Sequence, residues 1–95
     1  MNNYEGVFIL KAALDKDTLE KVVEDIKGVI SKNKGEVSQV QSWGKRKLAY
    51  LIQKQAEGIY YLMDFQLKPD VVKKIEGIFK INDSILRTLI IRKES

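Results

Sequence analysis

Apolar and polar positions along the chain change period four times, and each change marks an element. From Tyr4 to Leu10 they alternate by two, with Tyr4, Phe8 and Leu10 on one side together with Gly6, and Glu5, Val7 and Ile9 on the other, so a strand apolar on both faces is predicted. The period then lengthens. Leu19, Val22, Val23, Ile26, Val29 and Ile30 repeat at three and four, the stripe of a helix that buries one side and ends near Gly35. Asp15-Lys16-Asp17-Thr18 offers caps ahead of it, and Glu20, three residues past Asp17, completes a capping-box spacing.

Glu36 to Ile52 is rich in Val, Leu, Tyr and Gln but broken at Gly44, which leaves one long bent strand or a hairpin turning at Ser42 to Lys45. At about 3.3 Å per residue a straight strand of this length would run roughly 56 Å. A globule of this size has a radius of gyration of about 13 Å. A single strand here must therefore bend or project.

Gly58 to Leu67 alternates again, with Ile59, Tyr61, Met63, Phe65 and Leu67 opposite Tyr60, Leu62, Asp64 and Gln66. Pro69 suits the first turn of a second helix whose inner stripe is Val71 or Val72, Ile75, Ile78 and Phe79, and Asn82 and Asp83 close it. Ile85 to Arg92 forms the last strand, with Leu86, Thr88 and Ile90 alternating against Arg87, Leu89 and Ile91. The order β, α, β, β, α, β predicts an α+β, ferredoxin-like split βαβ fold: a four-stranded antiparallel sheet with two helices on one face and the other face open. The whole of residues 1–95 is expected to form one domain.

Composition narrows the chemistry more than it names the function. The chain holds neither cysteine nor histidine, which excludes disulfides, thiolate metal sites and a cysteine nucleophile, and removes the commonest general base. Carboxylate pairs at Asp15 with Asp17 and at Glu24 with Asp25 are explained by a helix cap and a solvated helix face. The segment after the first strand reads Lys11-Ala12-Ala13-Leu14, without the glycine-rich phosphate cradle that small phosphatases of this fold use, and nucleotide-binding glycine loops are absent. No catalytic residue, cofactor, metal or small-molecule substrate is expected. Apolar runs such as Ile59 to Met63 and Leu89 to Ile91 are too short to span a bilayer, which points to a cytoplasmic or, if organelle-encoded, organellar protein without a membrane partner.

Charge adds a direction. Seventeen Lys plus Arg against thirteen Asp plus Glu give +4 and an isoelectric point near 9.3, a mild preference for anionic partners. On the first helix the signs alternate through Lys16, Asp17, Glu20, Lys21, Glu24, Asp25 and Lys27, as on any solvated face. Lys45-Arg46-Lys47 differs: it is an uncompensated triplet beside Trp43 and Gly44, on a stretch that must bend or protrude. Such a cluster can neutralise phosphates while Trp43 and Tyr50 stack on bases, or it can guard an edge strand against aggregation. Arg87, Arg92 and Lys93 form a looser second basic group. An RNA-recognition motif is not supported, since the nearest match, Glu57-Gly58-Ile59-Tyr60-Tyr61, has an acidic residue where a basic one is needed and Ile at a stacking position.

Tyr4-Glu5 opening the first strand, Trp43-Gly44-Lys45-Arg46-Lys47-Leu48-Ala49-Tyr50 with Ile52, Gly58 before the third, and Ile81-Asn82-Asp83 followed by Leu86-Arg87 together resemble the bacterial small-subunit ribosomal protein six family, over essentially the whole chain. The resemblance implies one long bent second strand. It also implies a structural component of the small ribosomal subunit that binds the central domain of 16S-type rRNA together with small-subunit ribosomal protein eighteen as a heterodimer, without catalysis. Expected rRNA contacts are Tyr4, Lys45, Arg46, Lys47, Arg87 and Arg92, with Tyr4 alternatively in the core. Val7, Ile9, Trp43, Tyr50, Tyr60 and Leu62 are expected to receive the partner protein. A ferredoxin-like oligomerising regulator of small ligands is the alternative that the fold and the apolar open face also allow.

Overall fold

The computed structural model describes residues 1–93. Its elements are β1 (Asn2–Lys11), α1 (Lys16–Lys32), β2 (Glu36–Ile52), β3 (Gln55–Leu67), α2 (Val72–Lys80), entered through a short 3-10 turn at Pro69–Val71, and β4 (Ile85–Arg92). The strands form one antiparallel sheet in the order β2-β3-β1-β4. This is the ferredoxin-like split βαβ arrangement that the periodicities predict.

The ladder explains which side of each strand is buried. Tyr4 stands opposite Phe65, Gly6 opposite Met63 and Phe8 opposite Tyr61, so the residues sharing parity with Phe8 line one face. The helices cover that face: Val22, Val23, Ile26 and Ile30 of α1, with Ile75 and Phe79 of α2, join Phe8, Leu10, Met63, Phe65 and Leu67 in the core. The Phe8 and Phe79 rings meet edge to face with centroids 5.2 Å apart, and Tyr4 stacks on Phe65 at 5.9 Å, both favourable aromatic geometries. The predicted helical stripes thus face the core, with Leu19, Val29, Val71, Val72 and Ile78 only partly covered at their margins.

Three details depart from the sequence expectation. The cap of α1 is Asp15, whose carboxylate accepts the Thr18 N–H at 2.7 Å, so the Asp17/Glu20 box is not the one used. Asp15 is the last extended residue before the helix, and an N-cap must be extended. At the other end the left-handed residue is Lys34, at φ 66°, rather than Gly35. Finally, β3 begins at Gln55, three residues before Gly58, because the chain reverses at Gln53-Lys54, where both residues have positive φ, 48° and 65°. Two such residues flanked by the Ile52–Gln55 pair make a two-residue hairpin turn.

That turn settles the ambiguity at Gly44. β2 is one strand of 17 residues, and Gly44, at φ +78°, sits in a bulge where the ladder steps from the Ser42–Tyr61 pair to the Gly44–Tyr60 pair. Glycine takes this left-handed backbone without the steric cost of a Cβ. Two further register shifts, at Val37/Gln39 and Lys47/Ile52, add bends. A straight strand of that length would run roughly 56 Å, yet the longest dimension of the molecule is 36 Å, with a radius of gyration of 12.9 Å. The far half of β2 accordingly curls over the sheet.

Candidate nucleic-acid and partner interface

The face away from the helices is built from three rows that cross the sheet. Val7 pairs with Leu62 on one side and Leu89 on the other; Ile9 lies between Tyr60 and Arg87; Glu5 lies between Asp64 and Ile91. Val7, Leu62 and Tyr60 are partly exposed, while Leu89 and Ile91 are 53% and 47% exposed. An apolar surface of this kind makes this face a candidate contact site. Leu89 and Ile91 were not among the residues singled out from sequence. Their parity with Arg87 on β4 was the signal that placed them here.

Ile9 shares this face yet is only 8% exposed. Its cover is the curled end of β2. A Cβ built on Gly58 would collide with the Ile9 Cγ2 and stand 3.6 Å from the Leu48 Cδ2, so Leu48 comes down over the Ile9–Gly58 corner. Further along, the Arg87 guanidinium donates a hydrogen bond to the Tyr50 hydroxyl, joining β2 to β4 across the two intervening strands. The β2–β3 arm is therefore a flap laid against one end of the open face. Tyr50 and Leu51 on it remain 61% and 65% exposed.

The basic triplet lies on this arm but not as one patch. Lys45 is in register with Ile59, Arg46 with Gly58 and Lys47 with Glu57, so alternation puts Arg46 on the open side and the two lysines on the helix side. A shallow hollow bounded by Ala12, Ala13, Lys45, Gln55, Ala56 and Glu57 lies on that helix side. Glu57 opposite Lys47 also supplies a carboxylate that the one-dimensional view of an uncompensated triplet lacks. All three basic residues are exposed, and the Arg46 Nε donates to the Trp43 carbonyl at 3.3 Å, which braces the bulge. Because β2 is a sheet edge, the same charges also protect it from edge-to-edge pairing.

The remaining sequence-selected residues divide. Trp43, 45% exposed, stands at the bulge, and Arg92 is exposed opposite Tyr4 at the end of β4. Tyr4 itself is 6% exposed within the core cluster, its ring against Phe65 and its hydroxyl 3.4 Å from the Asn2 Nδ2. Of its two sequence readings the core one describes its ring, for a side chain held between sheet and helices presents no face for stacking on a base. Among the described residues no group of three or more Asp or Glu is arranged to hold a metal, and no helix is long and apolar enough to cross a membrane.

The family model described as Ribosomal protein S6 matches residues 3–92. The chain belongs to this family. It is 49% identical over 94 residues to the small ribosomal subunit protein bS6 of Clostridium acetobutylicum and 42% identical to that of Clostridium novyi, with 99% of each chain covered in both cases. The crystal structure of 30S ribosomal protein S6 from Thermotoga maritima superposes with a TM-score of 0.90 at 29% identity, over 97% of this chain and 87% of that one. Membership of the bacterial S6 family makes this chain a small-subunit ribosomal protein, located in the cytoplasmic ribosome, in a structural rather than an enzymatic family. Of the two functions left open by the sequence, that of a structural component of the small ribosomal subunit is the one this family carries.

Proposed function

We propose that the chain binds the central domain of small-subunit rRNA jointly with small-subunit ribosomal protein eighteen, with no catalytic role. In this reading the protein acts by holding RNA and protein together. The observation that carries it is the separation of two surfaces of opposite character. Lys45, Arg46 and Lys47 ride on the curled arm at one end of the sheet, Arg46 on its open side and the two lysines on its helix side, whereas Val7, Leu62 and Leu89 make an apolar row across the sheet. Phosphates are met by clustered cations that release counterions, and apolar rows are met by apolar side chains.

In this proposal Arg87 adds to the basic surface on the open side, and Arg92, paired with Tyr4 on the other side and at the far end of β4, offers a separate phosphate contact. Tyr4 contributes by packing, holding β1 against β3 beneath the site.

The test is binding to a central-domain rRNA fragment across a salt series, with and without the partner protein. Changing Lys45, Arg46 and Lys47 together to Ala is expected to reduce the slope of log K against log salt by about 1 for each phosphate that is no longer neutralised. An unchanged slope in a variant with native circular dichroism would remove the arm from the RNA site. Gain of affinity on adding the partner protein is expected, and its absence would count against joint binding.

A further inference from the structure

One arrangement on the open face is not required by the fold. Glu5 and Asp64 stand directly opposite each other on β1 and β3, on the side away from the helices. Facing residues in an antiparallel pair have Cβ atoms about 5 Å apart, and like charges at that spacing repel. The ion pair formed with this couple among the described residues is that of the Lys93 Nζ, 3.4 Å from the Asp64 Oδ1, with the two side chains 45% and 24% exposed. Lys93 is held there by its own backbone N–H, which donates to the Asn3 carbonyl at 2.8 Å. The same Asp64 oxygen is buried and accepts no hydrogen bond of good geometry. A buried acceptor left in that state costs stability unless something completes it.

Two carboxylates against one ammonium leave this end of the face negative in a chain that carries +4 overall. The opposite end is positive, with Arg87 in the next row but one and Arg46 beyond it across Gly58. Between them lies the apolar Val7–Leu62–Leu89 row. The face is thus polarised along the strands: acidic, apolar, basic. RNA is a poor occupant of the acidic end, since its phosphates would meet two carboxylates at close range.

We infer that the occupant of the open face is a segment of the protein partner that lays apolar side chains on the Val7–Leu62–Leu89 row and inserts a cationic side chain between Glu5 and Asp64. The inference rests on the reading that a protein covers this face. A guanidinium matches the site best, because its planar fork can serve two carboxylates at once and supply the hydrogen bond that the Asp64 Oδ1 lacks. Lys93 is the exposed member of its pair with Asp64, so a partner cation can take its place. Ile91, in the same row, provides an apolar wall that strengthens the attraction.

The experiment is titration calorimetry of the full chain with small-subunit ribosomal protein eighteen at low and high salt, for wild type, E5Q/D64N and L62D, each checked by circular dichroism. E5Q/D64N is expected to weaken binding about tenfold or more at low salt and to flatten its salt dependence. Its melting temperature is expected to equal or exceed that of wild type, because the like-charge pair is gone. Unchanged affinity in E5Q/D64N alongside lost binding in L62D would overturn the inference while leaving the face as the protein site. Undiminished binding by a folded L62D would instead overturn the underlying reading. A fall in the melting temperature of E5Q/D64N would make the carboxylates structural, and that result too would overturn the inference.

Discussion

Arg87 on β4 donates a hydrogen bond to the Tyr50 hydroxyl on β2, a link 37 residues apart in sequence that fastens the curled arm across the sheet. Near the tip little else competes with it, because the β2–β3 ladder shifts register between Lys47 and Ile52. Y50F is expected to change global stability little, by about 0.5–1.5 kcal/mol, since the bond is exposed. Hydrogen exchange of the arm amides, from Lys47 to Gln55, should quicken severalfold while β1 and β3 keep their protection. Equal arm protection in wild type and Y50F would show that packing by Leu48, not this bond, holds the arm.

Gly58 makes room for the arm's other anchor. A Cβ at this position would overlap the Ile9 Cγ2 and lie 3.4 Å from the Leu10 carbonyl oxygen. Ile9 is 8% exposed and cannot swing freely away. G58A is therefore expected to destabilise the chain by about 1–3 kcal/mol in chemical denaturation, the usual cost of overpacking. A stability within about 0.5 kcal/mol of wild type would mean that Ile9 is less confined than its burial indicates.

How far such features could be read from sequence depends on whether they are local. The helix stripes through Ile26 and Ile75 and the alternation through Phe8 and Phe65 are repeats of neighbouring residues, and each lands in the core. At Gly44 the residues alone left a long bent strand and a hairpin both open, the family resemblance implied the bent strand, and the turn at Gln53-Lys54 shows it. That turn carries neither Gly nor Asn, so the residues gave no sign of it. The division of Lys45 and Lys47 from Arg46 follows from register with β3, which a sequence triplet does not contain. The Glu5–Asp64 opposition is hidden for the same reason, being a pairing between strands 59 residues apart in number, from 5 to 64.

The Asp15 cap gives a pH-dependent prediction. Hydrogen bonds from the Thr18 side chain and then from the Thr18 backbone N–H hold the Asp15 carboxyl below its ordinary value of 3.8. These bonds favour the charged form in the folded chain, so their stabilisation is complete above pH 3.8 and disappears as pH falls through the lowered folded value. D15A is expected to melt at a lower temperature than wild type at neutral pH, with the difference narrowing below pH 3.8. A gap that is constant from neutral to strongly acidic pH would show that the ionised carboxylate is not what caps the helix.

The hairpin tip offers a change expected to stabilise. Gln53 and Lys54 both hold positive φ, 48° and 65°, in a two-residue turn whose preferred sequence is Asn-Gly. For residues bearing a Cβ this backbone costs roughly 1 kcal/mol each. Q53N/K54G is expected to relieve that cost, partly offset by the greater freedom that glycine gives the unfolded chain, for a net gain of about 1 kcal/mol. The gain should show as a higher denaturation midpoint with an unchanged slope. Because the arm carries Lys45 to Lys47, a firmer tip should also slow hydrogen exchange along it and, if the arm meets RNA as proposed, tighten rRNA binding by reducing the ordering that binding must impose. Losing Lys54 removes one positive charge, so the comparison requires K54Q, which changes the charge but keeps the strained turn. Stability of Q53N/K54G no higher than that of K54Q would mean that the turn stores no strain, and would detach the shape of the tip from the affinity of the arm.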